Sequence, residues 1–378
     1  MSRFPSVSAA GHATPASIFA RLREHLARFP GDVIPLQIGD THLAPAHALD
    51  AIPWTDLAPA DVYAYGSPAG WDPLIEAIVT KARAKNAIEL AAANVQVTVG
   101  TTHALACALQ ALCDPGDEVL LVTPHWPLIK GMAIAQSVRA IEVTFEQIEA
   151  AITPRTSVVY VASPNNPDGA MLDAAQIAEL VRIARAHDLW ILSDEVYEDY
   201  VYDLPHISVA TLAPERTVTT FSFAKSYAQA GLRVGYALGP ADVIATVKKL
   251  VNHSVYNVPV ATQMAAYHAL RAGDAFLATA RERYRAARDR ARARLQAPAA
   301  LPPGGAYLWV DFSRWSGADC MPVLEKIAAQ GVLLAPGSAF GDACKAHARL
   351  CFTGVDEVRL DEGIDRINGV LASWPSIG

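Results

Sequence analysis

Between about residues 95 and 240 the chain alternates short apolar runs with longer amphipathic ones, and few architectures accept that pattern. VQVTV (95–99), DEVLLV (117–122), RAIEV (139–143), TSVVYVA (156–162), LWILSD (189–194) and VTTFSF (218–223) read as strands. TTHALACALQALC (101–113) reads as a helix, and AAQIAELVRIARAH (174–187) repeats apolar residues at i, i+3, i+4 and i+7, the spacing of a helix packed on one face. DPGDE (114–118) and ASPNNPDG (162–169) carry turn chemistry at the breaks. Such alternation implies an α/β fold: a mostly parallel sheet covered by helices, with ligands at the carboxyl ends of its strands.

The flanking segments read differently. A helix is expected over SIFARLREHLARF (17–29), followed by VIPLQIGD (33–40). Beyond residue 275 come an arginine-rich helix and the strand-like pieces GGAYLWVDF (304–312), GVLLAPG (331–337) and ARLCF (348–352). These suit a smaller α+β domain built from both termini, residues 1–45 and 276–378, beside a large domain of residues 46–275. With 52% hydrophobic and 18% charged residues, the 378-residue chain has the balance of a soluble globular protein. Its formal net charge of −7 argues against a nucleic-acid partner. The basic stretch RERYRAARDRARARL (281–295) reads as a solvated helix face before a polyanion patch. Five cysteines without metal-type spacing suggest reduced thiols and no metal site. No apolar run approaches the roughly 20 residues that span a bilayer, and the N-terminus lacks a signal pattern, so a cytoplasmic protein without membrane contact is expected.

Five places could carry chemistry. Lys225 follows the strand-like run TVTTFSF, and Asp194 ends another, WILSD. An amine and an acid at the ends of buried strands are costly unless something pairs them, and an imine-forming amine with a carboxylate for a heterocyclic nitrogen is one such purpose. Tyr197 lies three residues beyond Asp194 and can face the same ligand, although an N-cap accounts for Asp194 equally well. Gly100, Thr101 and Thr102 lie where a strand runs into a helix, a place suited to a phosphate or to plain threonine capping. Asn166 precedes a proline, which holds its backbone extended; a simple Asn-Pro turn is the alternative. Ser222, Lys225 and Arg233 share one segment closed by Gly231 and Gly235. Arg349 is a lone cation in an apolar strand, suited to gripping a carboxylate or to an internal ion pair.

In this order and spacing these residues resemble the fold-type-I pyridoxal-phosphate enzymes, specifically the class I/II aminotransferases, from QIGD (37–40) through PGSAFG (336–341) to ARLCF. The resemblance implies that Lys225 forms the covalent link to pyridoxal 5′-phosphate and then shuttles the proton. Asp194 would pair with the pyridinium nitrogen, and Asn166 and Tyr197 would bond the phenolic oxygen. Ser222, Arg233 and the Gly100–Thr101–Thr102 turn would hold the phosphate, and Trp126 would stack on the ring. Arg349 would grip the substrate α-carboxylate, with Gly39 leaving room beside it. Tyr65 matches a tyrosine that reaches the phosphate of a neighbouring subunit, which implies a homodimer. The implied reaction moves an amino group between an L-amino acid and a 2-oxo acid; a β-eliminating carbon–sulfur lyase is the alternative on the same scaffold. NHSVYNVPVATQ (252–263) contains no arginine, which tilts the expected substrate toward neutral or aromatic side chains, with Tyr256 and His253 as pocket candidates. Asp168 stands where the family commonly has threonine and is expected to shape its turn; His125 is either a substrate contact or a surface residue.

Overall fold

Each apolar run of the alternating region forms a strand, and in the central strands successive residues serve two different cores. The computed structural model describes residues 7–16, 22, 29–46, 52–53 and 62–374. After a short β1 (Ile34–Pro35) come β2 (Val95–Thr98), β3 (Glu118–Val122), β4 (Arg139–Val143), β5 (Thr156–Ala162), β6 (Trp190–Asp194), β7 (Thr217–Ser222) and β8 (Gly235–Leu238). They are followed by β9 (Tyr307–Asp311), β10 (Val332–Leu333), β11 (Ala335–Pro336) and β12 (His347–Cys351). In β5, Val158 and Tyr160 pack with the helices Gly100–Leu112 and Ala241–Ser254, whereas Val159 and Val161 pack with the helix Ala174–Ala186. Burial on both faces of a strand explains its near-continuous apolar run.

Strands β2 to β8 form one sheet in the order β2-β8-β7-β6-β5-β3-β4. The pairs β3–β4, β3–β5, β5–β6 and β6–β7 are parallel. Only β8 is reversed, antiparallel to both β2 and β7. The mostly parallel sheet expected from the sequence is therefore present. Gly235, at the start of β8, pairs with both Thr98 and Ser222, so the amino end of the reversed strand meets the carboxyl ends of its neighbours. β8 itself lies outside the strands expected from the sequence. Its GYAL run is too short between glycines to stand out.

Segments from both ends of the chain pair outside that sheet. β1 pairs in parallel with β10, and β9, β11 and β12 form an antiparallel sheet in the order β11-β12-β9. Leu36, Leu308, Leu324, Leu350 and Ile364 share one core there. GVLLAPG, expected as a single strand, is split between these two small sheets. The helix expected over 17–29 lies outside the described residues except for Leu22, which is buried, and Phe29. The arginine-rich helix expected from about residue 275 spans Asp274–Arg294. Three of its arginines pair with acids, Arg290 with Asp361, Arg294 with Asp365 and Arg288 with Asp203, whereas Arg292 donates to Ala299 O. Among the described residues no helix is long and apolar enough to cross a membrane.

Candidate active site

Asp194 is the last residue of β6, and Lys225 sits in the helical turn Phe223–Ser226 that follows the adjacent β7. Asn166 lies in the turn after β5. The strands run parallel, so all three fall on one edge of the sheet. There a cavity of about 230 Å³ is lined by Gly39, Thr101, Thr102, Trp126, Asn166, Asp194, Tyr197, Ser222, Lys225, Arg233 and Arg349. A larger open cleft of about 710 Å³ runs beside Lys81 and Lys85, but those amines are already paired with Glu198 and Asp199.

One end of the cavity is a cradle for an anion. The helix Gly100–Leu112 begins without a side-chain cap, leaving first-turn N–H groups free. The two hydroxyls expected to serve this end divide: Thr101 Oγ1 donates to Phe221 O at 2.8 Å and braces β7, so only Thr102 keeps an open hydroxyl. Ser222 Oγ accepts from Ala224 N at 3.0 Å and retains its own proton for another partner. Arg233 Nη1 donates to Ala230 O at 2.9 Å, while Nη2 lies close over Gly100. A Cβ at Gly100 would come within 2.5 Å of that nitrogen, and its φ of +70° independently favours glycine. Gly231, expected to ease a tight turn, has open space around it.

The same cavity holds an acid and an amine whose surroundings shift their protonation. Asp194 is fully enclosed, and burial pushes its carboxyl up to about 7. It accepts from Val196 N at 3.3 Å and from Tyr160 Oη at 3.2 Å, so it caps its turn and also faces the cavity. Burial lowers the Lys225 amine below the usual lysine range, with Arg349 and Arg233 adding to the effect. Lys225 Nζ donates to Gly39 O, and Tyr200 Oη fixes its backbone by donating to Lys225 O at 2.6 Å.

Arg349 enters from β12. Its Nη1 donates to Asn166 Oδ1 at 2.8 Å and its Nη2 to Gln37 O at 2.5 Å, while buried Nε has no partner. The guanidinium lies 4.3 Å from the Tyr307 ring centroid and 5.1 Å from that of Phe340. These contacts rule against the internal ion pair. Lys225, Arg233 and Arg349 all donate to carbonyl or amide oxygens, so three cations face the cavity with their charge uncompensated by those bonds. Opposite them stands one protonatable acid. Such a donor set fits a ligand with an anionic tail, a basic ring nitrogen and a carboxylate nearby.

The structure also places the remaining candidates. Tyr65 lies outside the cavity, 84% exposed, its ring centroid 4.6 Å from that of Tyr256. Tyr256 and His253 are likewise exposed and line no part of the cavity in this chain. His125 is neither a surface residue nor a cavity residue: it is buried and its ring reaches Trp126 O at 3.0 Å and Glu142 Oε1 at 3.4 Å. Asp168 shapes its turn by accepting from Asn165 Nδ2 and Ala170 N at 2.9 and 3.1 Å. Tyr160 and Tyr307 were not singled out by the sequence; aromatic residues inside apolar strands carry no signal that separates them from core.

Residues 31–367 match the family model for aminotransferase class I and II. The chain belongs to that family. This aminotransferase is 35% identical over 323 residues to the aspartate/prephenate aminotransferase of Thermus thermophilus, covering 81% of this chain and 83% of that one. It is 34% identical over 303 residues to the arginine–pyruvate transaminase of Pseudomonas aeruginosa, covering 76% and 77%. The structure of Thermus thermophilus aspartate aminotransferase with maleate superposes with a TM-score of 0.90 at 32% identity, covering 97% of this chain and 100% of that one. Aminotransferases of this class depend on pyridoxal 5′-phosphate, and this one has the same cofactor requirement.

Proposed function

We propose that this aminotransferase, as a homodimer, moves an amino group between an L-amino acid with a neutral or aromatic side chain and a 2-oxo acid. The observation that carries the reading is Arg349, a buried guanidinium with one N–H unmet, sharing a cavity with Lys225 and Asp194. When bound, pyridoxal 5′-phosphate supplies an electron-withdrawing ring that stabilises negative charge on the substrate α-carbon. The first-turn N–H groups of Thr101 and Thr102, Ser222 Oγ and the Arg233 guanidinium would hold the phosphate. Trp126 would cover one face of the ring. Asp194 would keep a proton at the ring nitrogen, and Asn166 and Tyr197 would bond the 3-oxygen. Arg349 would fix the substrate carboxylate with Gly39 leaving room beside it, so that Lys225 Nζ can take and return the α-proton. Tyr65 would serve the phosphate of the partner subunit; its exposure, with that of Tyr63, supports a covered face. The division into bodies near residues 45 and 275 belongs to the same reading, supported by the pairing of β1 with β10.

Aspartate, prephenate and arginine, the substrates in the relatives' names, differ widely, so family membership selects no side chain. Among the described cavity residues every cation already has a task, and the remaining walls include the aromatic rings of Trp126, Tyr197 and Tyr307. The test is a screen of the purified holoenzyme against single amino acids, following the visible band of the bound cofactor and then the products. Bleaching by neutral and aromatic donors, with turnover strictly dependent on a 2-oxo acid, is expected. Bleaching by aspartate and glutamate alone would overturn the substrate class. Release of pyruvate and ammonia without an acceptor would instead identify a lyase.

A further inference from the structure

Two phenols meet on the cavity wall. Tyr197 Oη and Tyr307 Oη are hydrogen-bonded, the residues are only 3% and 1% exposed, and both line the cavity. Their rings meet edge to face with centroids 5.6 Å apart. Each phenol carries one O–H and can also accept. A bonded pair therefore uses one proton between its oxygens and keeps the other for a further partner.

The surroundings decide which proton is which. Tyr307 Oη is seated over Gly39, where a Cβ would come within 2.0 Å, so this oxygen is hemmed in on that side. The Arg349 guanidinium, 4.3 Å from the Tyr307 ring centroid, stabilises negative charge on that phenol, which makes its O–H more acidic and a stronger donor. Burial takes Tyr307 up to about 12 against the pull of Arg349, and burial holds Tyr197 well above the ordinary phenol value, so both remain protonated. The other titratable groups around the pair are Asp40 and Cys351, together with Tyr200, whose ring meets that of Tyr197, and Lys225, bonded to the Gly39 carbonyl beside Tyr307.

We propose that Tyr307 is a positioning residue: its hydroxyl donates to Tyr197 and so turns the Tyr197 proton toward the 3-oxygen of the bound cofactor. This rests on the reading of Tyr197 as the partner of that oxygen. A donor whose own oxygen accepts a hydrogen bond is polarised and donates more strongly. The chain of two phenols therefore favours the ionised 3-oxygen and lowers the pH at which the visible band of the holoenzyme titrates. A substrate carboxylate arriving at Arg349 offsets the charge that polarises Tyr307, so the chain weakens as substrate binds.

The test is a spectrophotometric pH titration of the holoenzyme without substrate, comparing wild type, Tyr307→Phe, Tyr197→Phe and the double variant. Removing one ordinary hydrogen bond should raise the midpoint in Tyr307→Phe by about 0.5–1 pH unit. Tyr197→Phe should raise it at least as far, and the double variant no further than Tyr197→Phe. An unmoved midpoint in Tyr307→Phe beside a raised one in Tyr197→Phe overturns the phenol chain and leaves the functional reading standing. Additive shifts in the double variant overturn it as well. No shift in Tyr197→Phe removes the reading of Tyr197 and the chain together. Retention of the ring in each phenylalanine variant preserves packing, which near-ultraviolet circular dichroism and cofactor content check.

Discussion

Replacing Asp194 by asparagine should make the cofactor-free protein more stable at pH 8 while abolishing its use as an aminotransferase. Burial raises this carboxyl from 3.8 to about 7. The folded protein therefore binds the proton more tightly than the unfolded chain does. Stability is highest where the acid is protonated in both states, below about pH 4, and is lost as pH rises toward 7. Three pH units at about 1.4 kcal/mol each give a burden on the order of 4 kcal/mol once the acid is ionised. Asparagine removes the charge and can keep the bond from Val196 N, while its amide N–H can donate to the Tyr160 hydroxyl, which turns to accept. A neutral amide bonds these partners somewhat less strongly than a carboxylate does, so the net gain at pH 8 should be about 2–4 kcal/mol. The assay is urea unfolding of both cofactor-free proteins between pH 4 and 8 at one fixed protein concentration. Wild type should fall further than Asp194→Asn across that range. Parallel pH profiles, or a wild type that is the more stable at pH 8, would refute the argument that burial of the charge dominates. Adding pyridoxal phosphate should stabilise wild type more than the variant, because a ring N–H gives the buried carboxylate its partner.

Arg349→Lys keeps the charge but loses the planar fork that reaches Asn166 and Gln37, so KM for the amino donor should rise about 10–100-fold with a smaller change in kcat; steady-state kinetics on the best donor from the screen checks this, and an unchanged KM counts against carboxylate binding there. Gly39→Ala forces a Cβ against the buried Tyr307 hydroxyl and should destabilise by about 1–3 kcal/mol in urea, a loss that Tyr307→Phe should largely restore.

The sheet and the two ends of the cavity were legible because charge interrupted apolar runs. Lys225, Asp194 and Arg349 each stand out as ionisable residues at or within strands, where burial needs a reason. Thr101 was legible as a position but not as a role: no pattern reveals that its hydroxyl would be taken by Phe221 O. Tyr160 and Tyr307 escaped for the opposite reason, since a phenol in an apolar strand looks like packing until the fold brings its oxygen to a partner. His125 was misread because its burial depends on Glu142, a residue on the next strand. GVLLAPG looked like one strand because hydrophobicity does not record that its halves pair with different neighbours.

The reversed β8 has a consequence for the order in which the site can assemble. Because β8 returns directly alongside β7, Lys225, proposed for the covalent link, and Arg233, proposed for the phosphate, lie on one short connection, residues 223–234, closed by bonds such as Phe223 N to Val234 O at 3.1 Å. Little chain entropy is lost in forming that hairpin. Arg349 depends on partners 183 and 312 residues away in sequence, far longer loops than that connection. In refolding followed by stopped flow, the cofactor grip can be native while the carboxylate grip is still unformed. Cofactor uptake should then precede competence to bind the amino donor, and the lag between the two signals would time the arrival of the C-terminal strands.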